Sequence, residues 1–155
     1  MSSALECVIF TGLPASGKST LYRDRFENTN VQVSKDLWPK ATKREARQQR
    51  LIAEALAAGS SVVVDNTNPS AAERAPLIAI AREHQARVVG YFFDVTTRAA
   101  VARNATRTGG AKVPNVAIFT VAKRLEPPTY AEGFDQLYRV EIAEDRSLRI
   151  TEVPR

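Results

Sequence analysis

The chain has 155 residues and a net charge of +5, with 44% apolar and 25% charged residues. This balance excludes a disordered or fibrous protein and leaves room for a substantial buried core. No apolar run approaches the ~20 residues of a bilayer span, the opening residues 1–6 lack a signal peptide's basic and apolar regions, and the lone Cys7 excludes an internal disulfide. A cytoplasmic setting with no membrane partner is expected.

In chain order, Leu5–Thr11 reads as a strand and Lys18–Glu27 as a helix. Val31–Ser34 is a short strand, and Thr42–Ala58 a long helix ended by Gly59. The β-branched run Ser61–Asp65 is a third strand, followed by a helix over Ser70–Gln85 and a strand over Arg87–Phe93. Thr96 or Thr97 caps a helix to Thr108, broken by Gly109-Gly110. Pro114 opens a further helix to about Leu125. Leu137–Ile142 and Leu148–Glu152 read as strands joined by a turn through Glu144–Ser147. Alternating strand and helix predicts one α/β domain over residues 1–155, with a parallel sheet covered by helices on both faces.

Between the first strand and first helix the chain reads Gly-Leu-Pro-Ala-Ser-Gly-Lys-Ser, Gly12 to Ser19. This is a phosphate-binding loop in its required strand–helix setting. The glycines let successive N–H groups turn inward around an anion, and the following helix adds its positive end. Gly12, Pro14, Ala15, Ser16, Gly17, Lys18, Ser19 and Thr20 are therefore expected to hold ATP or another nucleoside triphosphate. Lys18 would reach the outer phosphates and Ser19 would hold Mg²⁺.

Four further features bear on what happens to the phosphate. Asp36 follows the second strand, where strand tips face the ligand crevice. It reads as a general base, with an N-cap or a partner of Lys35 as the structural alternatives. Asp65 ends the third strand and is placed to act on Mg²⁺, directly or through water, and Asn66, Thr67 and Asn68 follow it. The alternative there is turn chemistry. Arg103 and Arg107 lie four apart on one predicted helix, a pair suited to a transferring phosphoryl group or to a solvated basic face. Trp38 offers a stacking surface or a core residue, while Lys35 and Lys40 belong to a basic stretch suited to a polyanionic acceptor.

Together these residues resemble the 5′-hydroxyl polynucleotide kinase family. The resemblance rests on Gly12–Thr20, on Val33-Ser34-Lys35-Asp36, on Asp65-Asn66-Thr67-Asn68-Pro69, on Arg103 to Pro114, and on Glu126 to Phe134. It implies a three-layer fold with four or five parallel strands and a helical lid. It also implies Asp36 as the base acting on a 5′-hydroxyl, with Lys18, Arg103 and Arg107 stabilising the moving phosphoryl group. Lys35, Trp38, Lys40, Asp65, Asn66 and Asn68 would meet the acceptor. The partner is then a nucleic acid 5′ end. Because no phosphatase domain accompanies the kinase, an enzyme acting alone or with end-healing or ligation partners is expected. Lys35 and Ser34 stand where the family has arginine and asparagine, and Pro39 where one branch has arginine. A kinase for a small hydroxyl compound needs the same donor machinery. A nucleotide-dependent switch would need no acceptor at all.

Overall fold

Three valines in a row, Val62–Val64, form a strand buried on both faces, which only a sheet flanked by helices on each side can accommodate. The computed structural model describes residues 4–155; residues 1–3 of the opening read above lie outside it. Six strands form one sheet in the order β2-β3-β1-β4-β5-β6. They are β1 (Glu6–Gly12), β2 (Val31–Val33), β3 (Val62–Val64), β4 (Arg87–Phe93), β5 (Gln136–Ile142) and β6 (Leu148–Glu152). The first five are parallel, and β6 pairs antiparallel with β5. The sheet is thus one strand larger than the family resemblance implies. A hairpin whose turn places Arg146 at φ 71° adds that strand without a crossover helix.

One face carries Ile9, Val64, Val88 and Leu137 under helices α2 (Arg44–Ala57) and α3 (Ala71–Glu83). The other carries Val8, Phe10, Tyr91 and Phe93 under Leu21 and Phe26. The helix predicted over Lys18–Glu27 keeps α geometry only over α1 (Lys18–Leu21) and widens into a π turn over Tyr22–Phe26. The wider turn brings Leu21 and Phe26 onto one face, and the Phe26 ring meets Phe10 and Tyr91 with centroids 5.9 and 5.6 Å away. Helices α4 (Thr97–Ala105) and α5 (Asn115–Arg124) pack on each other and on Leu13 of the loop after β1.

The chain leaves β1 toward β2 on one side of the sheet, and β4 returns on the other side of β1. The carboxyl end of β1 is therefore the switch point where such sheets open a crevice. Arg74 of α3 is fully buried and holds the crevice wall. Its guanidinium forks onto Glu132 at 2.8 and 3.0 Å and donates to the carbonyls of Asn68 and Pro69. Glu132 sits in a capping box with Thr129. Arg74→Ala removes both guanidinium bonds from the buried-side carboxylate of Glu132, which keeps only its Thr129 partners, and takes one of two donors from each of the Asn68 and Pro69 carbonyls. We expect a loss of about 3–5 kcal/mol in urea unfolding; a loss below about 1 kcal/mol would remove the bridge as the brace of this wall.

Candidate active site

The chain turns sharply at the end of β1. A Cβ on Gly12 would stand 2.7 Å from the Phe93 Cβ and 2.9 Å from the Ser16 hydroxyl, so only glycine fits there. Ala15 at φ 63° and Gly17 at φ 105° both take left-handed backbone, the curl that directs N–H groups into an anion-binding hollow. Gly17 lies immediately before α1, so the helix's positive end meets the same hollow.

The Lys18 ammonium is folded into this loop. It donates to the carbonyls of Leu13 at 2.5 Å and Gly12 at 3.2 Å, and contacts the Ser16 hydroxyl at 3.5 Å. Burial pushes its pKa down to about 8, with Asp65 and Asp36 raising it and Arg107 lowering it. Those three charges therefore converge on Lys18 from separate segments. Asp65 is itself buried, which holds its carboxyl above the usual range against the opposing pull of Gln32 and Lys18. Gln32 of β2 donates to Asp65 Oδ2 at 2.9 Å. This pairing escapes sequence reading because the two residues are far apart in the chain and meet across neighbouring strands.

Asp36 lies in a 3₁₀ turn over Lys35–Leu37 and is exposed. Both structural alternatives for it fail. The turn is capped by Ser34, whose hydroxyl accepts from Asp36 N at 3.3 Å, and the Lys35 ammonium pairs with Glu45 at 2.7 Å. Among the described residues the Asp36 carboxylate has no hydrogen-bond donor, so it is free to accept a proton from outside.

Asn66 fixes the segment that carries Asp36. Its Oδ1 accepts from Lys35 N at 2.9 Å and from the Ser34 hydroxyl at 3.4 Å, while its Nδ2 donates to buried Gln48 of α2. The side chain expected to meet the acceptor is thus engaged in holding the turn that carries Asp36. Asn68 is buried, and its amide donates to the carbonyls of Phe10 at 2.7 Å and Val64 at 3.4 Å, so the amide welds the strand tips while the residue still borders the crevice beside Asp36. Gly12 N donating to Thr67 O at 3.0 Å completes that weld.

A groove of about 530 Å³ opens beside Asp36, bordered by Lys35, Arg44, Asn66, Glu73 and Arg124. Arg44 and Arg124 are missed by the sequence reading, because the helices predicted over Thr42–Ala58 and from Pro114 to Leu125 do not say which of their cations face the crevice. Trp38 and Lys40 do not line the groove. Trp38 packs on the core beneath α2, and the Arg47 guanidinium lies 4.8 Å from its ring centre. Its stacking surface is already used within the protein, which corrects the expectation that it receives a base. Lys40 is exposed.

The lid is shorter than predicted. Helix α4 stops at Ala105, because the Thr106 hydroxyl donates back to the Arg103 carbonyl at 2.7 Å and Asn104 turns its amide to Val113. Arg107 therefore leaves the helix it was expected to share with Arg103. The two guanidiniums still lie close, since the charge of Arg103 adds to burial in lowering the Arg107 pKa. Arg103 donates to the Thr20 hydroxyl at 3.2 Å, and Arg107 to Ala111 O at 3.0 Å.

This donor set fits a nucleoside triphosphate with Mg²⁺. The curled loop, the buried ammonium and two neighbouring guanidiniums suit phosphate oxygens, and the Ser19 hydroxyl and Asp65 carboxylate are oxygen ligands of the kind Mg²⁺ takes.

Comparison with known proteins agrees. The sequence profile of the family described as AAA domain matches residues 7–128. The bifunctional polynucleotide phosphatase/kinase of Schizosaccharomyces pombe is 30% identical over 139 residues, which cover 87% of this chain and 33% of that protein. The L-seryl-tRNA(Sec) kinase of Methanococcus maripaludis is 29% identical over 143 residues, covering 83% of this chain and 55% of that protein. Among solved structures, Chaetomium thermophilum Kti12 in complex with ADP-AlF3 shares the fold, with a TM-score of 0.71 at 17% identity over 90% of this chain and 92% of that one. The chain spans about a third of the length of the polynucleotide phosphatase/kinase relatives it matches. Among the described residues no helix is long and apolar enough to cross a membrane.

Proposed function

The chain belongs to the AAA domain family, and from that premise we propose that it is a phosphate-loop kinase that transfers the γ-phosphate of ATP, or of another nucleoside triphosphate, to the 5′-hydroxyl end of DNA or RNA. The observation that carries this reading is the uncommitted Asp36 carboxylate. It borders an open groove and is near enough for its charge to act on Lys18.

The loop N–H groups and Lys18 bind the triphosphate and fix its orientation, while Arg103 and Arg107 sit where they counter charge on the transferred group. An acceptor hydroxyl in the groove gives its proton to Asp36 as its oxygen bonds to the γ-phosphorus. The bond from that phosphorus to the nucleoside diphosphate breaks. Ser19 and Asp65 would hold Mg²⁺, which would supply further neutralisation of the phosphate oxygens. Helices α4 and α5 over Leu13 shield the reacting atoms from water on the lid side.

Support for a nucleic-acid acceptor comes from the lid. Residues 95–125 contain six cations (Arg98, Arg103, Arg107, Lys112, Lys123 and Arg124) and no acid. One observation favours a second reading, a small hydroxyl compound as acceptor. Within the groove the cations are largely matched, Lys35 by Glu45 and Arg124 by Glu73 at 2.8 Å. Presenting labelled ATP with a panel of 5′-hydroxyl oligonucleotides, nucleosides and polyols separates the two. We expect label on the oligonucleotides, with an affinity that falls steeply as salt rises. Label confined to the small compounds would replace the first reading with the second.

A further inference from the structure

The buried side of α5 is fully used, with Ile118 and Val121 packed against Leu13 and Ala100 of α4. Its outer side holds two apolar residues in water, Val116 at 66% and Phe119 at 47% exposure. Positions 116, 119 and 123 fall on one helical stripe, with Phe119 between Val116 and Lys123. Arg124 lies on the neighbouring stripe and reaches the rim of the groove that holds Asp36. Phe119 and Arg124 thus mark the two edges of the exposed side of α5, about 140° apart around the helix and about 7.5 Å along it, and the Arg124 edge borders the acceptor site. Lys112 precedes the helix, and no carboxylate occurs anywhere in residues 95–125. Glu73 of α3 pairs with Arg124, and the exposed Glu126 follows the helix end.

An exposed aromatic among cations, on a helix without acids, is the combination that binds single-stranded nucleic acid, by stacking on base faces while phosphates meet the positive charge. Trp38, two residues after Asp36, is already covered by Arg47. Building on the proposed 5′-kinase reading, we propose that the outer face of α5 carries the acceptor strand away from the groove, with Phe119 stacking on a nucleobase and Lys112 and Lys123 meeting the backbone phosphates. Arg124 marks the point where the strand enters the groove. The 5′ end lies at Asp36, and a base further along the strand lies on Phe119. A mononucleotide is too short to reach this face.

The test is the binding of a fluorescent single-stranded 5′-hydroxyl oligonucleotide, followed by anisotropy, alongside phosphoryl transfer to that oligonucleotide and to a nucleoside 3′-monophosphate. Phe119→Ala should weaken oligonucleotide binding about tenfold, and Phe119→Tyr should restore it. Lys123→Ala should lower the slope of log affinity against log salt by about one. Transfer to the mononucleotide should be unchanged in all three variants, whose melting temperatures should match the parent's because both side chains are exposed. If Phe119→Ala binds the oligonucleotide as well as the parent does, the inference is overturned, and the face is left to a protein partner. If the parent binds the oligonucleotide through Phe119 yet transfers nothing to it, the strand path stands and the 5′-kinase reading fails.

Discussion

Replacing Lys18 with alanine should reduce phosphoryl transfer by about 10²–10³-fold, the usual cost of removing a preorganised charge aimed at the transition state. The geometry points to an effect of this size. The ammonium is drawn into the loop by the carbonyls of Gly12 and Leu13, and its burial lowers its pKa to about 8. The two carbonyls and the charges of Asp65 and Asp36 compensate that burial in part, and phosphate oxygens around the ammonium would add to them. The loop's own curl does not depend on Lys18, because Ala15 and Gly17 set it through their left-handed backbone. The variant should therefore fold normally, and isothermal titration should show weakened nucleotide binding together with a lower kcat. A variant with transfer within about threefold of the parent would mean that the phosphates lie elsewhere.

Asp36→Asn should be about as damaging to transfer, by about 10²–10⁴-fold, while leaving nucleotide affinity unchanged. The two effects separate because Asp36 lies on the acceptor side. It is exposed, borders the groove and forms no hydrogen bond through its carboxylate among the described residues. Its backbone N–H, which bonds to Ser34, is retained in asparagine. Loss of transfer with an unchanged melting temperature is thus attributable to proton acceptance. Retention of the parent rate would remove Asp36 as the base and return attention to Asp65, the other carboxylate whose charge reaches Lys18.

The donor half of the site was the more legible in the sequence, and there is a physical reason. A phosphate is held by backbone curl, and curl is encoded locally by glycine spacing between a strand and a helix. The β-branched run of β3 and the strand–helix alternation are local signals too, and they correctly placed the sheet and its helices. The acceptor half depends on which side chains meet across distant segments. Asn68 reads as a ligand residue because it follows Asp65 at a strand tip, but nothing local shows that the carbonyls of Phe10 and Val64 claim its amide. Trp38 looked available until Arg47, nine residues on, was brought over its ring. Gln48 and Arg74 gave no signal at all, since a buried polar residue reveals itself only through partners such as Asn66 and Glu132. The early end of α4 was hidden for a similar reason. Asn104 can either continue a helix or fold back to Val113, and the loop it closes decides.

The central claim is that the γ-phosphate passes to a 5′-hydroxyl oxygen. A matched pair of oligonucleotides, identical except for a 5′-hydroxyl or a 5′-phosphate, tests it most directly when each is incubated with γ-labelled ATP and digested to mononucleotides. The account predicts label in the 5′-terminal mononucleotide of the hydroxyl-ended strand and none in its phosphate-ended twin. Equal labelling of both strands, or label released only as inorganic phosphate, would contradict it.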